Sequence, residues 1–396
     1  MADSIEHLGA LLLVAAVVAM LTRKLRVPYS VGLVATGMVL ATFSLDLHVD
    51  LTRDLIFSTL LPPLIFEAAL VLRWDELRRD LVLIVALAVV GLVLAAAVAA
   101  LGMHWLAGWS WVAALLFGVL IAATDPVSVI ALFREAGSTG RLRILVEGES
   151  LFNDGTAAVL FAVGAAVAAG QAMTPGLLAW WLLKSVGGGL ACGALVAGAI
   201  LLLANRTDDH LVKLTFTTIA AYGSFLLAEH FNGSGVLATL CAGMMIGNLG
   251  RVCAHAPRER EAIAEFWGFA AFVANSLIFL LIGVHEEQQD FHLVWKAAVL
   301  AIALVMLGRA AAIYPVCGLF ARGATRVSLR HQHLLVWGGL RGALALALAL
   351  SLPPGMPDRE AVTTVAFAVV AFSIFAQGLS IGPLLRRLDR VPERSG

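Results

Sequence analysis

Long apolar blocks separated by short polar stretches run the whole length of this chain. A window of about 19 residues finds thirteen of them, at approximate limits 6–22, 29–45, 55–72, 81–103, 110–133, 144–170, 175–204, 210–230, 234–250, 262–284, 293–321, 331–352 and 360–385. A helix needs about 20 apolar residues to cross the hydrocarbon core of a bilayer. The pattern therefore predicts an all-α polytopic membrane protein with thirteen transmembrane helices. Several segments carry glycine or proline in mid-run, and the third contains Pro62-Pro63.

Charge gives an independent reading of the same count. If the N-terminus lies outside, the loops after odd-numbered segments face inward. Those loops and the C-terminal tail hold 21 of the 27 lysines and arginines, while the outer loops hold only Arg53 and Arg359. Basic residues concentrate in cytoplasmic loops, and a miscounted segment would scramble the alternation from that point on. The expectation is an N-terminus outside and a cytoplasmic C-terminus. The other four basic residues, Lys184, Lys296, Arg309 and Arg341, fall inside segments. The two lysines sit closer to segment ends, where a long side chain can snorkel toward the interface. Arg309 and Arg341 sit near mid-segment and need partners.

Composition narrows the class further. The 396 residues are 60% hydrophobic and 14% charged, with a mean hydropathy of +0.92. A soluble domain is about 45–50% apolar and about 25% charged, so a soluble protein is excluded. Net charge is zero, which gives no basic field for a nucleic-acid partner. No phosphate-binding glycine loop is present and no soluble domain is expected that could hold one, so ATP drive is not expected. The four cysteines lack ligand spacing and read as small buried residues; no cofactor is expected. The start, MADSIEHLG, lacks the basic region of a cleavable signal peptide, so the first segment is expected to stay as a span.

Against this background the acidic residues inside the segments stand out: Glu67, Asp125, Glu147, Glu149, Asp154, Glu229 and Glu265. Charge at mid-bilayer costs at least a few kcal/mol. Glu229 and Glu265 lie near segment ends and read as structural or interfacial. Glu67 follows the proline pair by about one turn, where the missing N–H groups free carbonyls for another partner or a cation. Asp125 precedes Pro126 in FGVLIAATDPVSVIALF, a helix-break signature whose open carbonyls and half-helix ends can hold a small ion. Segment 12, HLLVWGGLRGALALALAL, carries a second break around Arg341. Two interrupted segments at corresponding positions of inverted halves mark a transporter binding site; the halves here are segments 1–6 and 8–13.

Segment 6 holds the densest polar group, GESLFNDG. Ser150 and Asp154 share one helical face, and Glu149 and Asn153 share another, about 100° away. A buried arginine needs one of the acids, because an unpaired buried charge costs roughly 3–5 kcal/mol. Pairing Glu149 with Arg341 satisfies both. Asp154 is then left without a permanent cationic partner in low dielectric, where a carboxylate takes either a proton or a metal cation. One carboxylate that must hold one or the other is the minimal apparatus for exchanging them. The ten histidines lie in loops, termini or segment ends, so carboxylates carry this role.

At these residues the chain resembles the NhaP-type sodium/proton antiporters, relatives of the animal and plant Na+/H+ exchangers. The likeness runs through RVPYSVGLVATGMVL (26–40), LPPLIFEAAL (61–70), ATDPVSV (123–129), EGESLFNDGTAAV (147–159), SGVLATLCAGMMIGN (234–248), ANSLIFLLIG (274–283), GGLRGALALALAL (338–350) and FSIFAQGLSIGPLL (372–385). The resemblance implies an NhaA-like fold with inverted repeats, in which segments 5 and 12 cross where each unwinds. It implies a single transport unit over 1–396, with a mobile core from about 55–170 and 262–385 and a homodimer interface from the remaining helices; in a departure from many relatives, which carry a long cytoplasmic regulatory tail, no soluble regulatory domain is expected. It makes Asp154 the aspartate that binds Na+ and exchanges protons, with Glu67, Ser150 and the Thr124 carbonyl completing the Na+ oxygen shell. Asp125 acts close by, Asn153 bridges the unwound strand, and Glu149–Arg341 is the structural ion pair. Asn153 in place of a second aspartate is typical of electroneutral members. Arg309 matches a family position without an assigned role. Ser128 departs from the family, which has a small apolar residue there.

The expected function is exchange of Na+ or Li+ for H+ across a bacterial or archaeal inner (plasma) membrane, by alternating access at one aspartate. K+/H+ exchange on the same fold is the nearest alternative, since such oxygen ligands do not discriminate the two ions without a known cavity size. A cation channel, a membrane sensor or an organic-anion carrier fits less well: no output domain is visible, and only Arg309 and Arg341 could form an anion pocket.

Overall fold

The computed structural model describes residues 2–25, 27–42, 52–125, 140–171, 174–253, 257–287, 292, 294–323 and 325–389. Among these residues the secondary structure is helical, with no strand. In chain order the helices are α1 (Ala2–Leu25), α2 (Tyr29–Thr42), α3 (Leu55–Val71), α4 (Trp74–Ala107), α5 (Trp111–Ala122), α6 (Arg141–Ala168), α7 (Pro175–Ala204), α8 (His210–His230), α9 (Gly235–Cys253), α10 (Pro257–Glu287), α11 (Trp295–Leu319), α12 (Leu329–Trp337), α13 (Ala343–Leu350) and α14 (359–389). Seven of them are long and apolar enough to cross a membrane, and α2, α3, α5 and α9 are shorter apolar helices.

Local chemistry sets the ends. Ser110, Thr174, Asp209 and Ser328 each cap a helix start by accepting from backbone N–H groups of the first turn, and Pro175 occupies the first position of α7. Gly108, at φ 75°, closes α4. Helix α4 begins at Trp74, seven residues before the apolar run, because WDELRRD continues the helix with a polar face. A π-turn, Leu55–Leu60, opens α3 ahead of the proline pair. Pro63 cannot donate to the Thr59 carbonyl four residues back; the Tyr222 hydroxyl of α8 donates to it instead, at 3.0 Å.

Packing divides the helices into two groups. Helices α4, α5, α6, α11, α13 and α14 pack on one another, and α12 joins them through α11 and α14. Helices α1, α2, α3 and α7–α10 form the other group, with α2 against α10, α3 against α9, and α7, α8 and α9 together. This differs from the expected grouping of 55–170 with 262–385. Helices α3 and α10 fall inside those limits, yet they pack chiefly on α9 and α2. The α2–α10 contact explains the move. At Gly37 and Gly283 the two backbones approach so closely that an added Cβ on either would strike the other's carbonyl, of Leu280 or Val34. Small residues that let helix backbones meet are a general route to tight association in membranes. The cysteines fit the sequence reading only in part: Cys317 is buried, but Cys192 and Cys241 are half-exposed.

Candidate ion-binding site

Two interruptions meet within the group that holds α5, α12 and α13. Helix α5 ends at Ala122, and residues 123–125 continue without helical structure; Pro126 and Ser128 lie outside the described residues. Segment 12 breaks between α12 and α13, over 338–342. The Asp125 N–H donates to the Leu340 carbonyl at 2.8 Å, tying one break to the other.

Each broken helix leaves carbonyls without their usual partners, and buried side chains supply the donors. At the end of α5, Arg341 Nη1 donates to the Ala122 and Ala123 carbonyls at 2.5 and 2.9 Å. Asn153 Nδ2 donates to Ala122 as well, at 3.4 Å. At the end of α12, Arg309 Nε donates to the Leu335 carbonyl at 3.2 Å and Gln377 Nε2 to the Trp337 carbonyl at 2.9 Å. A cation at a helix C-terminus also complements the helix dipole, so each arginine stabilises one cut end.

The expected Glu149–Arg341 ion pair does not form. Glu149 pairs with Arg309, which grips it with both Nη atoms, at 2.5 and 2.7 Å. Both side chains are almost wholly withdrawn from water, at 1% and 7% exposure. The reason is position. Arg309 reaches α6 from α11 as a planar fork matched to a carboxylate, while Arg341 is spent on the backbone of α5.

A cavity of about 400 Å³ opens between the two helix groups. Glu67 reaches it from α3, Thr124 and Asp125 from the break after α5, and Asp154 from α6. Asn275 of α10 and Gly342 at the start of α13 complete this part of the wall. Ser150 does not line the cavity; it lies behind Thr124, its hydroxyl 3.0 Å from the Thr124 hydroxyl. Among the described residues no cationic side chain forms an ion pair with Asp154. Nor does any group of three or more His, Cys, Asp or Glu there have the arrangement of a resident metal site. The arrangement places the Asp154 carboxylate on a cavity wall with the oxygens of Glu67, Thr124 and Asp125 on the same cavity.

Two residues escaped the sequence reading. Gln377 bridges α14 to the cut end of α12 and accepts from Ser373 at 2.8 Å; a lone glutamine in the apolar run FSIFAQGLS was the available signal. Arg309 was visible as a buried cation, but its partner was not. Gly342 is a testable point in the same wall, since a Cβ there would collide with the Asp125 side chain. Gly342→Ala should lower stability by about 1–3 kcal/mol through overpacking, read as a fall in the thermal midpoint of the purified protein. Gly198→Ala on α7, where an added Cβ meets nothing, is the control and should show no fall.

Comparison with known proteins identifies the family. The family described as sodium/hydrogen exchanger, transmembrane, matches residues 10–387. The Na(+)/H(+) antiporter ApNhaP of Aphanothece halophytica is 37% identical over 375 residues, covering 93% of this chain and 71% of that protein. The Na(+)/H(+) antiporter NhaP of Pseudomonas aeruginosa is 34% identical, covering 95% and 96%. Among solved structures, the sodium proton antiporter MjNhaP1 of Methanocaldococcus jannaschii superposes with a TM-score of 0.79 at 18% identity, over 98% of this chain and 99% of that one. With its matched helices, its paired breaks and its carboxylate-lined cavity, this chain belongs to the sodium/hydrogen exchanger family.

Proposed function

We propose that this protein is a secondary antiporter that exchanges Na+, or Li+, for H+ across the plasma membrane. The observation that carries the reading is Asp154. It faces a cavity between two helix groups without an ion-pair partner among the described residues, beside Asp125 and Glu67. The names of the relatives, all Na(+)/H(+) antiporters, support the same substrates.

Asp154 binds a cation or a proton, never both. The group containing α4–α6 and α11–α14 moves against the other only when the carboxylate is neutralised, because carrying a bare anion through the membrane interior is too costly. Competition at one site then couples the two fluxes, one for one and without net charge movement. Glu67 contributes an oxygen from the static side, and the Thr124 carbonyl contributes another. Ser150 acts through its hydrogen bond to Thr124, Asp125 acts close by, and Asn153 supports the break. In this reading α5 and the α12–α13 segment cross at their breaks, the chain spans the membrane thirteen times with its N-terminus outside, and the group containing α1–α3 and α7–α10 forms a homodimer interface. No cofactor or ATP takes part.

The test is reconstitution into proteoliposomes with an acidic lumen, with voltage clamped at zero and lumenal pH followed. Alkalinisation on adding outside Na+ or Li+ is the expected result. A response to K+ alone would reassign the ion, and an uncoupled current would make the protein a channel.

A further inference from the structure

Two charged side chains on the cavity wall have no part in the exchange at Asp154. Glu147 and Arg143 lie on the N-terminal part of α6, and both line the same cavity as Asp154. Glu147 precedes Asp154 by seven residues, two helical turns, so the two carboxylates share a face about 10 Å apart along the axis. Leu151, between them, lines the cavity too. Arg143 Nε holds Glu147 Oε1 at 2.6 Å. The Glu147 side chain is 11% exposed and the Arg143 side chain 26%, so the acid is the more withdrawn of the two. Arg23, exposed near the end of α1, lines the same cavity.

Helix stability does not account for this pair. An i, i+4 ion pair contributes only about 0.3–0.5 kcal/mol, and the stabilising order places the acid before the base. Here the order is reversed, and an arginine in the first turn opposes the helix dipole. The bias toward basic inner loops accounts for Arg143, but not for an acid directed at the cavity.

We propose that Glu147 is a staging site for the entering cation, with Arg143 as a tethered competitor for the same carboxylate. A monovalent cation entering the cavity displaces the guanidinium, pauses at Glu147 and passes Leu151 to reach Asp154. An incoming cation leaves the carboxylate paired when it displaces the guanidinium, and Arg143, the more exposed of the two, is the partner free to swing aside. The inference rests on the antiport reading and adds an entry step that sets the apparent affinity for the cation.

The experiment measures Na+-dependent proton exchange in proteoliposomes for the wild type, Arg143→Gln, Glu147→Gln and the double variant. Arg143→Gln should lower the apparent KM for Na+ and Glu147→Gln should raise it, each by about threefold or more, equivalent to roughly 0.7 kcal/mol. The double variant should match Glu147→Gln, because without the carboxylate the competitor has nothing to compete for. Thermal midpoints measured in parallel identify any variant that has failed to fold. For such a variant, Glu147→Asp takes its place and should raise KM by less than full removal of the charge. A pair that only holds α6 together would shift both single variants the same way, or change the maximal rate and leave KM alone; either result overturns the proposal. If the wild type exchanges no cation, the antiport reading itself fails, which is a different outcome from an active wild type with unmoved KM values.

Discussion

Asp154→Asn is expected to abolish Na+-driven proton exchange and to leave the protein folded. The amide keeps the size of the side chain but carries no charge for a cation and no proton to release. Both half-reactions stop together, and exchange should fall to the level of protein-free liposomes. Stability should move the other way. Asp154 holds no cationic partner among the described residues, so the substitution strands no counter-charge and removes a carboxylate from a poorly solvated site. The thermal midpoint of the purified variant should be equal to or above that of the wild type. Residual Na+-dependent exchange in a folded Asp154→Asn protein would falsify the assignment of the transport site. A collapsed midpoint would show that Asp154 holds the structure together.

The second large effect concerns the grip of Arg309 on Glu149. Breaking a buried pair on one side leaves an uncompensated charge and costs about 3–5 kcal/mol. Arg309→Met and Glu149→Gln should each approach that loss. The double variant should recover much of it, since neither charge remains, giving a strong coupling in a double-mutant cycle. Arg341 gives the contrast. Arg341→Met leaves the Ala122 and Ala123 carbonyls short of donors, at about 1–3 kcal/mol for each buried group left unsatisfied. Combined with Glu149→Gln, its effect should be closer to additive. A larger coupling of Glu149 to Arg341 than to Arg309, measured by thermal unfolding of the four variants in each cycle, would reverse the pairing found here.

That pairing marks the boundary of what the sequence could reveal. The helices announced themselves, because burial in a membrane leaves long apolar runs, and the breaks at Asp125 and Gly338–Gly342 announced themselves through proline and glycine. Spacing along α6 placed Glu149 and Asp154 on different faces, and the structure has Glu149 against Arg309 and Asp154 on the cavity wall. What spacing along one helix cannot say is which of two other helices passes beside it. Arg309 and Arg341 are both buried cations in apolar runs, and only the packing of α11 against α4 and α5 separates their partners. The grouping of α3 and α10 was hidden for a similar reason, since chain order groups segments by neighbourhood in sequence and the glycine contact between α2 and α10 joins segments far apart in it. Helix α4 ran longer than its apolar core, as a polar-faced first turn contributes little to a hydropathy window.

Arg341 differs from Arg309 in one respect that reaches beyond energy. Its hydrogen-bond acceptors are main-chain oxygens, and a main-chain oxygen survives any substitution at positions 122 and 123. Arg309 also reaches a main-chain oxygen, that of Leu335, but its two Nη atoms depend on the Glu149 carboxylate, so a change at 149 strands a charge at 309 in a way that no change at 122 or 123 strands Arg341. The expected consequence is that substitutions tolerated at 149 and 309 come as pairs, while those tolerated at 341 depend only on the shape of the break it serves.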